Sequence, residues 1–328
     1  MYNCGVGVVE QYGLTAENMY RGRGAILCET KEGLKILKEF GGAHNKLAMQ
    51  RELQEHICEA GFPRTDRILL NQEGELVTAD SEGTPYYVRN WFHGRECDTK
   101  SAGDIRKGAL ELAKLHKVMH LPTVPEYTRE SLVMEYTRHN AELRKVRKFI
   151  LKKRRKNPFE DRILACMSEF QQEGEAAVEA LKNSDYEQLR AQALEAGCVC
   201  HGEYNQHNIL ISDGTAAVTN FGRWNFDVQV TDLYQYLRKI MEKHNWDIRL
   251  ASQILDTYER ERSLSAAEWR NLQIRLMYPW KFWKLVNCYA GNNKAWISGK
   301  NLEKLEQIAG QQESWKKFIK KLFSDSFF

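Results

Sequence analysis

The sequence changes its pattern near residue 95, and this change limits the folds open to the chain. Before it, short β-branched and aromatic runs alternate with turns, as at 25–40 and 85–92. After it, long segments carry apolar residues at helical spacing and contain few Gly or Pro. The sequence therefore predicts an α+β protein with a β-rich first part and a mainly helical second part.

In the first part, a β-hairpin is predicted over 25–40, because two apolar runs flank the turn residues 30–33. A helix is predicted over 45–60, and Gly61 and Pro63 supply its stop. Further strands are expected at 67–70, 76–78 and 85–92.

In the second part, one pair of short strands interrupts the helical pattern. It covers 209–221, where an Asp-Gly turn joins two apolar runs. Helices are predicted over 102–120, 132–155, 161–182 and 186–196, and again from 230 to the end.

Composition excludes several classes of protein. With 48 Lys and Arg against 44 Asp and Glu, the formal charge of +4 is too small for a surface built to grip nucleic acid. Eight scattered cysteines form no C-x-x-C pair, which argues against a zinc module and a disulfide scaffold. No leader pattern and no long apolar run is present, so we expect a soluble protein made in the cytoplasm, without a membrane partner.

The stretch HGEYNQHN, residues 201–208, carries the strongest chemical signal. It places a carboxylate and amides in a polar loop directly before the predicted strand pair. Such a loop can direct these groups into one cleft, which suits a Mg²⁺-nucleotide site.

This stretch is similar to the H-G-D-x-x-x-x-N loop of aminoglycoside phosphotransferases and choline kinases. Together with YVRNWFHGRECD at 87–98 and FWKLVNCYAGNNKAW at 282–296, it resembles the CotS-type spore coat proteins of endospore-forming bacteria. The resemblance implies a bilobal, protein-kinase-like fold. The N-terminal lobe would cover 1–88, the interlobe segment 89–98 and the helical C-terminal lobe 99–328.

The resemblance also implies roles for single residues. Glu203 stands at the position of the catalytic Asp that accepts the substrate hydroxyl proton, and Asn208 at that of the metal-binding Asn. Asn220 stands where an active kinase has its Mg²⁺-binding Asp. The implied cofactors are ATP and Mg²⁺.

A lysine that contacts the nucleotide phosphates is implied as well. Lys38 is the best match, with Glu52 on the next helix as its ion-pair partner. Lys35 and Glu55 remain rivals for these two positions.

Two departures from the family pattern affect the expected activity, because phosphoryl transfer depends mostly on positioning and charge. Glu203 is one methylene longer than Asp, and Asn220 removes a negative charge from a site where Mg²⁺ favours carboxylates. We therefore expect a binding or assembly module of the spore coat with degraded or weak phosphotransferase activity. The alternative is an active ATP-dependent phosphotransferase that acts on a small hydroxylated or aminated molecule or on a coat component.

The resemblance also suggests synthesis in the mother cell and deposition in the spore coat, with coat proteins as partners. A basic run at 144–156, predicted to be helical, has three interpretations: a solvated face, a protein contact or, less favoured, a nucleic-acid contact. Aromatic residues near the C-terminus are expected to pack in a core rather than to form a ligand platform. They are Tyr278, Trp280, Phe282, Trp283, Tyr289 and Trp296.

Three further sites are predicted to be structural. His201 is expected to hold its loop, and Asp232 to cap a helix or support the loop. His116 and His120 lie four residues apart but lack the glutamate of a zinc-protease motif, so core or surface roles are favoured.

Overall fold

The computed structural model describes residues 3–22, 24–62, 64–291 and 299–323. The chain forms two compact units, each built from several stretches. Unit 1 holds residues 1–128, 194–236 and 257–262, and unit 2 holds residues 129–193, 237–256 and 263–328. The α+β class is confirmed, while the bounds of the two predicted lobes remain a prediction.

The helices and strands have the following bounds. The strands are β1 (Ala16–Gly22), β2 (Ala25–Thr30), β3 (Gly33–Glu39), β4 (Thr78–Ala79), β5 (Pro85–Asn90), β6 (Arg95–Glu96), β7 (Val199–Cys200), β8 (Ile209–Ser212), β9 (Thr215–Val218) and β10 (Asn225–Phe226). The helices are α1 (Asn3–Gln11), α2 (His44–Glu59), α3 (Ala102–Val118), α4 (Leu132–Leu151), α5 (Pro158–Lys182), α6 (Tyr186–Glu195), α7 (Val230–Met241), α8 (Ile248–Glu261), α9 (Ala266–Met277), α10 (Trp280–Gly291), α11 (Gly299–Gly310) and α12 (Gln312–Leu322). Of the helices in the described residues, none has the length and apolar character needed to cross a membrane.

Unit 1 is organised around a five-stranded antiparallel sheet in the order β1-β2-β3-β5-β4. The predicted hairpin over 25–40 is confirmed as β2 and β3. Gly33 takes a φ of +93°, which a residue with a side chain rarely adopts. The hydroxyl of Thr30 donates a 2.8 Å hydrogen bond to the carbonyl of Gly33 and closes the turn.

Each face of this sheet has its own apolar cluster. One consists of Val8, Val9, Tyr12, Cys28, Leu37 and Val88. The other consists of Leu27, Leu34, Ile36, Trp91, Leu210 and Ala217, and so includes the β8–β9 hairpin. In the β3–β5 pair, Ile36 lies opposite Arg89 and Lys38 opposite Tyr87. Because opposite residues and alternate residues share a face, these four side chains project from the same side of the sheet.

Some elements of unit 1 were not predicted. Helix α1 and strand β1 were missed, and the strand expected at 76–78 is reduced to Thr78–Ala79. The strand expected at 67–70 was wrong, since Ile68 forms only an isolated bridge with Arg89. The backbone N–H of Ile68 donates instead to the side chain of Gln54, at 3.2 Å, which replaces a strand partner.

Unit 2 is helical, and its core draws on α4, α5, α10, α11 and α12. The buried core residues are Leu143, Val146, Ile150, Phe159, Ile163, Cys166, Met167, Phe170, Phe282, Val286, Tyr289, Leu305 and Trp315. The predicted aromatic packing is thus confirmed for Phe282 and Tyr289. Trp296 lies outside the described residues.

Helix α4 is shorter than predicted. A single helix was expected over 132–155, but α4 ends at Leu151 and α5 begins at Pro158. Asn157 and Glu160 form a capping box at the start of α5, with two reciprocal hydrogen bonds of 3.0 Å. The expectation that 144–156 forms one basic helix was therefore wrong, because residues 152–156 connect two helices.

His139 of α4 makes unit 2 sensitive to acid. Its side chain is buried and stacks on Trp283 with a ring separation of 3.4 Å. Burial, followed by the nearby Arg138 cation, lowers the pKa of His139 from 6.5 to about 4. The unfolded chain therefore binds a proton at a higher pH than the folded chain does. Protonation of His139 therefore does not reduce the free energy of unfolding above the unfolded pKa of 6.5. Below it, the free energy of unfolding falls as the pH drops towards 4.

The free energy of unfolding should fall between about pH 8 and pH 4.5 in both the wild type and His139→Phe. We expect the fall to be about 2–3 kcal/mol larger in the wild type. Phenylalanine keeps the stacking on Trp283 but cannot be protonated. Urea unfolding at the two pH values measures the difference. Equal losses in the two proteins would show that His139 does not titrate in this way.

Candidate functional site

The predicted loop at 201–208 follows β7 and leads into β8, and a buried carboxylate fixes its start. Asp232, in the first turn of α7, accepts hydrogen bonds from the backbone N–H groups of His201 at 2.6 Å and Gly202 at 2.9 Å. Burial alone would raise the pKa of Asp232, but hydrogen bonds from His116 and His201 outweigh it and hold the pKa below its usual value. Asp232 therefore supports the loop, in agreement with one of its two predicted structural roles.

His201 is fully buried and braces the same loop. Its Nε2 lies 3.0 Å from the carbonyl oxygen of Thr219, and its Nδ1 lies 3.2 Å from the backbone N–H of Glu203. These contacts fit a neutral ring that donates from Nε2 and accepts at Nδ1. The predicted loop-holding role is confirmed, because both ring nitrogens are engaged by backbone groups.

Glu203 occupies the exposed bend of the loop. Its carbonyl oxygen accepts hydrogen bonds from the side-chain amides of Asn205 at 2.8 Å and Asn208 at 2.9 Å. Within the described part of the chain, its carboxylate makes no hydrogen bond or ion pair. The carboxylate does act on Lys38, whose ammonium group it stabilises through space.

Asn208 and Asn220, the two predicted metal ligands, form a hydrogen bond with each other. Asn220 follows β9 in the left-handed region, with φ 67° and ψ 52°, a conformation that Asn tolerates better than most residues. Its amide nitrogen donates to the amide oxygen of Asn208 at 2.8 Å. Its amide oxygen lies 3.3 Å from both Nη1 and Nη2 of Arg89. Both amide oxygens therefore already accept hydrogen bonds.

Arg89 belongs to a buried ion pair that the sequence did not reveal. It contacts Asp66 through Nη1, and Asp66 also accepts from Gln54 at 3.1 Å and from the backbone N–H of Asn220 at 2.8 Å. Burial raises the pKa of Asp66, while the Arg89 cation and the N–H of Asn220 oppose this shift. All three partners donate hydrogen bonds, so they stabilise the ionised carboxylate.

Lys38 lies at the edge of a cavity of about 230 Å³ in unit 1. Partial burial, followed by the positive charge of Arg89, lowers the pKa of the Lys38 ammonium group, and Asp66 and Glu203 oppose this. The rival Lys35 lies on the opposite face of β3, and its Nζ donates to the carbonyl of Glu32 at 2.7 Å. The residues that line the cavity are Ala25, Ile36, Lys38, Arg89, Trp91, Glu96, His207, Asn208 and Asn220.

The acidic partner expected for Lys38 is not beside it. Glu52 is exposed on α2 and lines a separate surface hollow, together with Arg51 and Glu55. Glu55 forms ion pairs of 2.9 Å with Arg51 and Arg67. From α2, the neutral Gln54 instead contacts the ion pair, because its amide nitrogen donates to the backbone and side-chain oxygens of Asp66.

These residues do not fit a magnesium ion. Mg²⁺ is usually held by carboxylates, whereas Asn208 and Asn220 are neutral, and a cation on Asn220 Oδ1 would lie beside the Arg89 guanidinium. Among the described residues, no group of three or more His, Cys, Asp or Glu side chains could hold a metal ion. The geometry suits an anion better than a divalent cation.

Arg89 had a detectable signal in the sequence. It is a lone charge in the aromatic and β-branched run at 85–92, where alternation places it on one face with Tyr87 and Trp91. A charged residue at a buried strand position requires a partner of opposite charge. The sequence pattern could therefore have identified Arg89, but not Asp66 as its partner.

The structure is similar to solved phosphotransferases. The aminoglycoside phosphotransferase from Alicyclobacillus acidocaldarius subsp. acidocaldarius DSM 446 superposes with a TM-score of 0.86 and 19% identity, over 97% of this chain and 95% of that one. Spectinomycin phosphotransferase APH(9)-Ia, solved with ADP and spectinomycin, gives a TM-score of 0.60 with 12% identity over 98% and 94% of the two chains. These similarities show the aminoglycoside phosphotransferase-like fold that was predicted.

Curated relatives lead to the same group of proteins. Spore coat protein S of Bacillus subtilis (strain 168) is 22% identical over 300 residues, which cover 90% of this chain and 85% of that protein. Endospore coat-associated protein YutH of the same strain is 24% identical over 133 residues, 40% of this chain and 38% of that one. The model of the family described as "Spore coat putative kinase YutH" matches residues 7–322. The chain therefore belongs to this YutH family of kinase-like spore coat proteins.

Proposed function

We propose that this protein is a nucleotide-binding component of the spore coat in which phosphoryl transfer is degraded. One observation carries the proposal: the two positions that would ligate a metal are amides that hydrogen-bond to each other, and the amide oxygen of Asn220 also accepts from Arg89. Phosphoryl transfer relies on metal ions to position and neutralise the phosphates. A site without a carboxylate ligand loses most of that assistance.

The cavity supports nucleotide binding. Lys38 and Arg89 place two cations on one face of the sheet, and such a face attracts phosphate oxygens. Two similar structures hold nucleotides: spectinomycin phosphotransferase was solved with ADP, and amicoumacin kinase hAmiN with AMP-PNP and Ca²⁺. The latter has a TM-score of 0.59 and covers 94% of this chain.

Deposition in the coat, after synthesis in the mother cell, is part of the same proposal. It is supported by family membership and by the names of the two curated relatives. The partners would then be other coat proteins, which this kinase-like module would bind without catalysing phosphoryl transfer.

An active phosphotransferase is the second candidate, and Glu203 favours it. Its carboxylate is exposed, makes no hydrogen bond within the described residues and lies within electrostatic range of Lys38. A carboxylate in that state could accept the proton of an acceptor hydroxyl. The two candidates differ in whether ATP is consumed.

Calorimetric titration of the full chain with ATP tests the proposal. Lys38→Met should weaken binding by about 10–100-fold, the cost of losing one hydrogen bond to a charged group. Lys35→Met is the matched control on the opposite face of β3, and it should bind ATP within about twofold of wild type.

Two outcomes would contradict the proposal. If wild type does not bind ATP, or if Lys35→Met weakens binding as much as Lys38→Met does, the nucleotide site is not where we place it. Formation of ADP with Mg²⁺ present, abolished by Glu203→Gln, would establish the active enzyme instead.

A further inference from the structure

A fixed cation lies beside Asn220, the position that the family resemblance assigns to a metal-binding carboxylate. The guanidinium carbon of Arg89 is 5.5 Å from the ring centre of Tyr87 and 5.6 Å from that of Trp91. The side chain is only 3% exposed, and Asp66 anchors it at Nη1. Packing and charge together therefore hold this positive charge beside Asn220.

The guanidinium has donor capacity left over. Its Nε is buried and has no hydrogen-bond partner among the residues that the structure describes. Within the described ranges, Nη2 makes only the 3.3 Å contact with Asn220 Oδ1. A buried donor without an acceptor is unfavourable, and an anion entering the cavity would supply acceptors. Phosphate oxygens match the fork of a guanidinium particularly well.

Lys38 supplies the second charge on the same face. In the β3–β5 pair, Lys38 lies opposite Tyr87, and Ile36, two residues earlier in β3, lies opposite Arg89. Both cations line the cavity, together with the two amides of Asn208 and Asn220. Asp66 balances the charge of Arg89, and Glu96 also lines the cavity, so what the chain offers a polyphosphate is a set of N–H donors and the Lys38 ammonium group rather than a large positive charge.

We propose that this cavity binds a nucleotide polyphosphate in its metal-free form, with the donors of Arg89 and the Lys38 ammonium group contacting phosphate oxygens that a divalent cation contacts in active phosphotransferases. The inference rests on the proposed nucleotide-binding function and specifies that the nucleotide is bound without a divalent cation. It assigns a role to the buried Asp66–Arg89 pair, which keeps the cation fixed without a metal.

The Asn220→Asp variant is predicted to reverse the metal preference. A carboxylate at position 220 would pair with Arg89 at the 3.3 Å contact and compete with phosphate for it. It would also provide the anionic ligand that Mg²⁺ favours. Without metal, we therefore expect ATP to bind about tenfold more weakly than to wild type, and Mg²⁺ should restore most of that loss.

The experiment titrates ATP into the full-length wild type, Asn220→Asp and Asn245→Asp, each with EDTA and with excess Mg²⁺. Asn245→Asp is a matched control, because Asn245 is exposed and also has a left-handed backbone, with φ 46°. A parallel titration with Mn²⁺ alone, followed by water-proton relaxation, reports metal binding without nucleotide. Circular dichroism melts verify that the variants fold.

The inference is supported if wild type binds ATP with EDTA within about threefold of its affinity with Mg²⁺, and if Asn220→Asp alone gains Mn²⁺ binding. It is overturned if Mg²⁺ tightens wild-type binding tenfold or more, an outcome that would leave nucleotide binding intact. Failure of wild type to bind ATP in both buffers would overturn the proposed function as well.

Discussion

Arg89→Met should lower the free energy of unfolding by about 3–5 kcal/mol, the usual cost of removing one partner of a buried ion pair. Asp66 is completely buried, and among the described residues the loss of Arg89 would leave its carboxylate with the neutral donors Gln54 and Asn220 alone. Methionine preserves the length and apolar bulk between Tyr87 and Trp91, so the lost charge should account for most of the effect.

Urea unfolding, followed by circular dichroism, measures this loss. The matched control is Arg67→Met, because Arg67 pairs with Glu55 at 2.9 Å while 37% and 30% of the two side chains stay exposed. That change should cost at most about 1 kcal/mol. The double variant Arg89→Met with Asp66→Asn removes the unpaired charge and should recover part of the loss. Equal losses for Arg89→Met and Arg67→Met would refute the buried-pair argument.

Gly202→Ala should destabilise the protein by about 2–5 kcal/mol, because the cost of a left-handed backbone adds to the cost of overpacking. Gly202 has a φ of +78°, and a Cβ built on it would lie 2.0 Å from the carbonyl oxygen of Arg223. That oxygen belongs to the backbone, so no side-chain rotation can relieve the clash. The second residue of HGEYNQHN is thus restricted to glycine by its surroundings.

Gly214→Ala separates the two contributions. Gly214 has a similar φ of +73°, but nothing lies within 4 Å of a Cβ placed there. Its substitution should therefore cost only the backbone term of about 1–2 kcal/mol. The same urea unfolding measurement applies to both variants. If they lose the same stability, the contact with Arg223 is not what excludes a side chain at position 202.

Local patterns predicted the parts of the site that are close in sequence. The strand pair expected at 209–221 appears as β8 and β9, joined by Asp213 and Gly214 with φ values of 48° and 73°. Two consecutive residues with positive φ form the turn that an Asp-Gly pair favours in hairpins. The loop at 201–208 and its support His201 were also found, because they lie in one contiguous motif, and Asp232 was found because it begins a predicted helix.

Partners that meet only through tertiary structure were not predicted. On α2, residues 52 and 54 differ by roughly 200° around the helix axis, so the choice between them depends on the phase of the helix. Leu53 and Ile57 mark the buried face, and Gln54 lies next to Leu53 on it, while Glu52 points away into solvent. The resemblance implied an acidic partner on this helix and pointed to Glu52, but it did not give the phase of the helix.

The ties around Asn220 also bear on conformational freedom. Asn220 forms hydrogen bonds with three residues: its backbone N–H donates to Asp66, its amide nitrogen donates to Asn208 and its amide oxygen accepts from Arg89. Strand β5 and the loop at 201–208 are thereby linked before any ligand arrives. If the cavity binds a nucleotide as proposed, a site braced in this way loses little entropy on binding, so a few contacts suffice for affinity. The same bracing leaves little room for the loop movements by which many enzymes complete their active sites, in keeping with the proposed role in binding rather than turnover.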